Sequence, residues 1–336
     1  MSVRLTPEGA ERLAAAALAG AGAGDRAARE TAHALVLAER DGLSSHGLAR
    51  VPFYGAQIAT GKIAGAAVPT VEVAGAVVRV DAGHGLAFPA IADGLAAGPP
   101  VARSLGIAAI SIARSHHFGV AGQPVERLAR EGLIGLALSN TPAAIAPWGG
   151  TQALYGTNPI AFACPRKAAE PLVIDLSLSE VARGKIMLAA KEGRAIPEGW
   201  AFDKEGQPTT DADAAMAGSM APAGGAKGAA LALMVELLAA GLSGANFGHE
   251  ASSMFTAEGP PPGIGHLILA IDPGRFTAAF TERAEALFAA IGQQQGARLP
   301  GARRLAARAA AAEAIEIPQS LADELARLAG RAPAAT

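Results

Sequence analysis

A chain of mixed strands and helices is predicted by two features of the sequence. Short apolar runs of β character, Ile107–Ala113, Leu133–Ser139, Leu172–Asp175 and Leu267–Ile271, crowd the middle of the chain. Stretches with apolar residues at helical spacing lie between these runs and at both ends. A third observation makes the chain a folded globule: 51 % of its residues are hydrophobic and 17 % charged. At 336 residues it can bury a large core, and its length points to two or three domains.

In order, Thr6-Pro7-Glu8 reads as the cap and first turn of a helix rather than as part of a signal segment. Residues 6–65 read as three helices separated by Gly20–Gly24 and Gly42–Ser45. Gly22-Ala23-Gly24-Asp25-Arg26-Ala27 imitates the dinucleotide fingerprint G-x-G-x-x-A, but that motif works between a strand and a helix, and here a helix precedes it. Val71–Ala74 and Val77–Asp81 flank Gly75 as a hairpin would, and Phe88–Ala97 reads as a helix. After Ile107–Ala113 come a helix at Pro124–Arg130 and β runs at Leu133–Ser139, Ala161–Ala163 and Leu172–Asp175. A helix is expected from Asp175 through Met187, and residues 190–225 as an extended excursion without a packed element. Gly224–Gly228 leads into an apolar helix ending near Leu242. Leu267–Ile271 follows as a strand. Phe276, Phe280, Leu287, Phe288 and Ile291 form a helical stripe, and Ala306–Leu328 supplies one or two terminal helices.

A net charge of −2 gives no reason to expect nucleic acid or an anionic membrane as partner. The single cysteine, Cys164, excludes an internal disulfide and a cysteine zinc cage and fits a reducing cytoplasm. The longest apolar run, Leu231–Leu242, contains Glu236 and is too short to span a bilayer. No H-E-x-x-H and no carboxylate cluster at ligand spacing is present, so no metal is expected.

The chemistry-bearing stretch is Ser44-Ser45-His46-Gly47-Leu48-Ala49-Arg50. It follows a helix that stops at Asp41-Gly42, and Ser44 or Ser45 is placed to cap the next one. If the first turn includes His46, the imidazole and Arg50 share a face. A proton donor beside a guanidinium fork suits a 2-oxo or 2-imino acid; a capping serine, a partly buried histidine and a surface arginine are the plainer alternative. Adjacent His116 and His117 would point to opposite faces of a strand and not chelate one metal as a pair. His117-Phe118-Gly119 suits a loop reaching a cofactor, or a turn histidine bonded to backbone. Gly224-Gly225-Ala226-Lys227-Gly228 offers free N–H groups, a helix dipole and a lysine to a phosphate, or is a glycine-rich helix start with a solvated lysine. Arg298-Leu299-Pro300-Gly301-Ala302-Arg303-Arg304 reads as a phosphate contact or as solvated surface.

Taken together these residues resemble the malate/L-lactate dehydrogenase-like oxidoreductases. The likeness is carried by Arg40-Asp41-Gly42, Ser45-His46-Gly47-Leu48-Ala49-Arg50, Ser115-His116-His117-Phe118-Gly119, Ala146-Pro147-Trp148-Gly149-Gly150 and Gly156-Thr157-Asn158-Pro159-Ile160-Ala161. It continues through Asp175-Leu176-Ser177, Ala182-Arg183-Gly184-Lys185-Ile186, Ile196-Pro197-Glu198-Gly199-Trp200-Ala201, Gly224–Gly228 and Arg298-Leu299-Pro300-Gly301. It spans about residues 5–305 in order.

The resemblance implies a non-Rossmann α/β fold with a mixed, largely antiparallel sheet flanked by helices. It also implies a homodimer and two regions. Residues 1–70, joined by 300–336, would form a helical substrate and dimerisation region, and residues 71–299 the cofactor-binding and catalytic region. It assigns proton donation to His46 with Ser45 as its partner, or acid–base work to His117. The substrate would meet Arg50 and Thr157. NADPH, with NADH as the other candidate, would meet His117, Phe118, Gly119, Val120, Ala121, Asp175, Leu176, Ser177, Gly184, Lys185, Ala226, Lys227, Arg303 and Arg304. Two departures stand out: Lys227-Gly228-Ala229-Ala230 lacks the tyrosine that members often carry, and Lys185 stands where imine-reducing members place an acidic residue. The segment Asn246–Gly265 is similar to the cyclic-imine reductases, so reduction of Δ1-piperideine-2-carboxylate or Δ1-pyrroline-2-carboxylate is expected, with a 2-hydroxy-acid dehydrogenase as the alternative.

Overall fold

In the computed structural model, which describes residues 1–330, the chain opens with β1 (Ser2–Leu5), α1 (Pro7–Gly20) and α2 (Asp25–Arg40). Residues 331–336 of the expected terminal segment lie outside the described residues. The Thr6 hydroxyl accepts the Gly9 N–H at 3.1 Å and Pro7 sits in the first turn of α1, as its sequence predicts. The G-x-G-x-x-A stretch joins α1 to α2 with no strand before it. α2 ends where Gly42 takes φ +73°, a left-handed conformation that lets the Gly42 and Leu43 N–H groups close on the Glu39 and Ala38 carbonyls.

Beyond α2 the expected continuous helix is broken. Two 3₁₀ turns, Ser44–His46 and Leu48–Arg50, precede α3 (Val51–Ala59), and Gly47 between them is extended in ψ, so His46 and Arg50 do not share one helical face. No serine side chain caps the turns or α3. Glu39 accounts for this: its carboxylate accepts the Leu48 N–H at 2.8 Å, and a Cβ at position 47 would collide with it.

The hairpin β2 (Thr70–Ala74) and β3 (Val77–Asp81) turns at Gly75. α4 (Ala87–Leu105) outruns its expected end, and β4 (Ile107–Ser115), α5 (Gly122–Arg130), β5 (Ile134–Ser139), β6 (Ile160–Cys164) and β7 (Leu172–Leu176) follow. No helix begins at Asp175, contrary to expectation; α6 spans Arg183–Lys191. The Ser177 and Ser179 hydroxyls bond each other at 2.7 Å, and that of Ser179 donates to the Val181 carbonyl at 2.7 Å, local bonds that compete with helix formation. Residues 190–225 are not a loose excursion. They hold β8 (Ala201–Phe202), β9 (Pro208–Thr209), α7 (Ala212–Ala217) and β10 (Ser219–Met220), packed with Val181, Ile186 and Ile196 around a small core.

α8 (Ala226–Val235) runs into a π-helical turn, Glu236–Gly241; then come β11 (Ile264–Ile271), α9 (Phe280–Gly292), α10 (Ala302–Ala310), β12 (Ile315–Pro318) and α11 (Gln319–Ala329). Phe276 lies outside α9 and is exposed, while Phe288 is buried. β1 and β12, neither expected, pair antiparallel from Ser2↔Pro318 to Leu5↔Ile315.

The large sheet has the order β2-β3-β4-β11-β5-β6-β7, antiparallel throughout except for β3–β4. Helices α4 and α5 cover one face through Leu95, Val125 and Leu128 against Ile110, Ile112 and Ile268. Gly94 and Gly98 let α4 lie against β4, since a Cβ at either would stand 2.6 or 2.5 Å from the Ile110 side chain. α8 and the π turn cover the other face with Ala232, Val235 and Ala239. A second core joins α1, α2 and α3 to β12 and α11 through Leu18, Leu35, Val51, Ile315 and Leu325.

Candidate active site

The end of β4 turns sharply. Arg114 has φ +48° and is ion-paired to Asp81, and the β11–β4 register shifts between Ile264 and His266. Such bulges re-aim side chains next to active sites. At the bulge the fully buried His266 bridges two strands, its Nε2 2.8 Å from the Ser115 Oγ and its Nδ1 2.8 Å from the Ser139 Oγ. His116 and His117 therefore lie past the strand, not on its opposite faces. Both flank Tyr54 of α3, with ring centroids 5.7 and 6.2 Å away.

The structure brings together the residues singled out around position 46. The His46 and His117 rings stack with centroids 5.4 Å apart. Ser45 Oγ is 3.0 Å from His46 Nδ1, and the buried Tyr54 phenol is 2.6 Å from His117 Nδ1. Each ring thus has Nδ1 engaged, and neither Nε2 has a hydrogen-bond partner among the described residues. Arg50 donates through Nε to the Ser45 carbonyl at 2.7 Å, and its guanidinium carbon lies 5.6 Å from the centre of the Phe255 ring. Its terminal amines remain unpartnered among the described residues, a free fork of the kind that takes a carboxylate end-on.

Burial first, and the Arg50 charge second, push His46 down to about 4. His117 is depressed well below the usual imidazole range by burial, with Arg50 and His46 adding to it. Both imidazoles are neutral at neutral pH. Burial raises the Tyr54 phenol, which stays protonated. The sequence carried no signal for the Tyr54 phenol.

The second cluster surrounds the starts of α6 and α8. Neither has a side-chain cap at its first residue, preceded by Ala182 and by Gly225. Backbone bonds tie the two approaches together, Ala223 N–H to the Leu178 carbonyl and Glu180 N–H to the Ala221 carbonyl, both 2.8 Å. Gly184 and Gly224 face open space where a Cβ would stand, and the exposed Trp148 ring lies beside Gly225. The uncapped start of α8, with its glycines and the exposed Ala226 and Lys227, presents donors of the kind that can hold a phosphate. Lys185 Nζ lies 6.0 Å from the centre of the Trp200 ring.

Asp175 accepts the Gly122 N–H at 2.7 Å, and Leu176 and Ser177 beside it are exposed. Thr157 bonds through its N–H to Thr141 Oγ1 at 2.9 Å, and its carbonyl accepts the Leu178 N–H at 2.8 Å. Glu236, at the π turn and unforeseen, is buried and takes four donors: the Gly156 and Gly248 N–H groups and the Asn140 and Asn158 amides. Phe118, Val120 and Ala121 are buried, Phe118 with its ring 4.4 Å from that of His266, while Gly119 takes φ +77°. Arg303 is exposed, whereas Arg304 lies 2.8 Å from Glu126 and 3.6 Å from Asp41.

Compared with known proteins, the chain matches the family model described as malate/L-lactate dehydrogenase over residues 5–326. It is 60 % identical to a (2R)-3-sulfolactate dehydrogenase (NADP(+)) of Chromohalobacter salexigens over 97 % of this chain and 98 % of that one. It is 42 % identical to a Δ1-pyrroline-2-carboxylate/Δ1-piperideine-2-carboxylate reductase of Pseudomonas syringae pv. tomato over 87 % of each. The crystal structure of Δ1-piperideine-2-carboxylate reductase from P. syringae superposes with a TM-score of 0.91 at 39 % identity, covering 97 % of this chain and 99 % of that one.

Proposed function

We propose that this chain, an oxidoreductase that belongs to the malate/L-lactate dehydrogenase family, interconverts a 2-hydroxy acid and its 2-oxo acid with NADP(H), on a substrate of the 3-sulfolactate kind. One observation carries the site assignment: two stacked neutral imidazoles with free Nε2 atoms beside the free fork of Arg50. The preference for a hydroxy acid over the cyclic imino acids favoured by the sequence rests on the 60 % identity to the sulfolactate enzyme. The imino-acid reading stays as the second one, supported by the 42 % identical reductase.

In this reading Arg50 binds the carboxylate and so fixes the face that C2 presents, an orientation effect. NADPH, when bound, supplies the hydride to C2. His46 delivers the proton to the substrate oxygen in reduction and takes it back in oxidation. A carboxylate on the fork offsets the Arg50 charge, the smaller of the two causes that depress His46. Ser45 holds Nδ1 of His46. Tyr54 donates to Nδ1 of His117, which leaves the neutral ring with its proton on Nε2, directed to the same substrate oxygen.

Thr157 lines the substrate side. The cofactor meets the segment from His117 to Ala121, Asp175, Leu176, Ser177, Gly184, Lys185, Ala226 and Lys227, with Arg303 free for a phosphate. Residues 1–70 with 300–336 form the substrate-side unit and 71–299 the cofactor-side unit. No described helix is long and apolar enough to cross a membrane. A cytoplasmic homodimer is part of the reading, supported by buried Cys164 and by exposed Leu231, Leu233, Leu237 and Leu242 along α8 and the segment after it; light scattering on the purified protein tests the dimer.

The deciding assay follows absorbance at 340 nm with NADPH and with NADH. Sulfopyruvate, oxaloacetate, pyruvate, 2-oxoglutarate and the two cyclic imines are offered at equal concentration. Fastest oxidation of NADPH is expected with sulfopyruvate; oxidation with the imines alone would move the protein to the second reading.

A further inference from the structure

Lys62 is among the largest fully buried side chains, 1 % exposed, and no carboxylate lies within ion-pair distance of it among the described residues. Its ammonium group is instead caged by one loop. The Ser253, Thr256 and Glu258 carbonyls accept from Nζ at 2.6, 3.0 and 3.1 Å, and Thr256 Oγ1 at 3.2 Å. Two α3-side residues join it. Buried Gln57 donates through Nε2 to the Met254 and Thr256 carbonyls at 2.9 and 3.0 Å, and the Thr60 hydroxyl donates to the Ala257 carbonyl at 2.8 Å. A segment some 190 positions away in sequence is thereby strapped to the end of α3. A buried charge is costly unless its hydrogen bonds are made, so this cage fixes the loop firmly.

The loop delivers one side chain to the site. Phe255, half-buried at its centre, is the ring 5.6 Å from the Arg50 guanidinium carbon. Arg50 is thus held by the Ser45 carbonyl at Nε and by an aromatic ring beside its guanidinium, and its terminal amines have no hydrogen-bond partner among the described residues.

We propose that Lys62 and Phe255 are the positioning residues of the substrate carboxylate: Lys62 sets the 253–258 loop, and Phe255 on that loop orients the Arg50 fork. This rests on the reading of Arg50 as the carboxylate site. It does not depend on which acid is the substrate, because hydroxy, oxo and imino acids all bring the same carboxylate.

The test compares Lys62→Met, Phe255→Ala and Phe255→Tyr with the parent enzyme. Lys62→Met and Phe255→Ala raise KM for the acid roughly 5- to 20-fold, the scale of a partly desolvated cation–π contact, with kcat and the KM for NADPH nearly unchanged. Phe255→Tyr keeps the ring and stays close to the parent. Phe255 is a loop residue whose removal leaves the core intact, so a KM equal to the parent's in Phe255→Ala overturns the proposal even if Lys62→Met folds poorly. A Lys62→Met enzyme with lowered Tm and an unaltered KM overturns it as well. Should no acid in the panel be turned over, the functional reading fails on its own. The same comparison is then read from oxalate affinity by calorimetry in the presence of NADPH, where equal affinities, or no binding to the parent, overturn this proposal.

Discussion

The Tyr54 phenol stands 2.6 Å from Nδ1 of His117, and it has no other hydrogen-bond partner among the described residues. Since the phenol is held protonated by burial, it is the donor, and His117 is fixed as the tautomer with its proton on Nε2. Tyr54→Phe removes that constraint while keeping the ring. Turnover is expected to fall on the order of 10-fold, the scale of one buried hydrogen bond. Nitrogen NMR of His117 should show the tautomer become mixed; an unmixed tautomer would assign the orientation to other contacts.

His46→Ala is expected to lower kcat at least ~100-fold, as loss of a general acid does. His117→Ala in parallel separates the two imidazoles: whichever change flattens the pH dependence of kcat identifies the proton carrier. Arg50→Lys should act chiefly on KM, because an ammonium cannot reproduce the two-pronged contact.

Burial first and the Arg50 charge second hold free His46 at about 4, and in the proposed reading an anion on the fork offsets the second of these. In the reduction direction the protonated form is needed, so kcat/KM declines as pH rises from the free-enzyme value. The kcat profile, which reports the complex, should stay level to higher pH before declining. Coincident breaks in the two profiles would refute the coupling between Arg50 and His46.

His116 and His266 are buried and both depressed to about 3, chiefly by burial. The unfolded chain binds their protons near pH 6.5 and the folded chain does not, so their contribution to stability is complete above pH 6.5. It is lost at about 1.4 kcal/mol per pH unit for each as pH falls toward 3. Urea titrations at pH 7 and pH 5 should show the loss. The pH dependence should be shallower in His116→Leu, whose parent ring has both nitrogens without a partner.

Arg304 and Arg308 share the buried carboxylates of Asp41 and Glu126, with Arg308 at 2.6 Å from Asp41 and 2.7 Å from Glu126. Arg308→Ala strands buried charge and should cost roughly 3 kcal/mol or more in unfolding free energy. Arg304→Ala should likewise act on stability, and Arg303→Ala on the KM for NADPH. A large rise in that KM from Arg304→Ala with Tm unchanged would return Arg304 to the cofactor.

The sequence carried the strands of the large sheet because apolar runs such as Ile107–Ala113, whose Ala108, Ile110 and Ile112 are buried, are continuous along the chain. It carried the Thr6 cap and the Gly42 stop because those depend on neighbours in the chain. It was silent on β1 and β12, each four residues long and each defined only by the other. It misread residues 175–182 because serine hydroxyls satisfied the backbone locally. It misjudged the 44–50 turn because the residue that breaks it, Glu39, acts through space. Of the site, His46, Arg50 and His117 were visible by type. Tyr54, Lys62 and Glu236 were not, since a stripe aromatic, a surface-type lysine and a helix carboxylate announce nothing until a partner distant in sequence is in place.

Across the β1–β12 pair the Ser2 hydroxyl donates to the Glu316 carboxylate, 314 positions away. A chain leaving the ribosome therefore exposes α1, α2 and α3 long before Ile315, Ile317, Leu325 and Leu328 arrive to close their core. Contacts of such sequence separation form late. The turn bearing His46 and Arg50 is thus finished by residues synthesised long after it, and until they emerge those two side chains lack the scaffold that holds them.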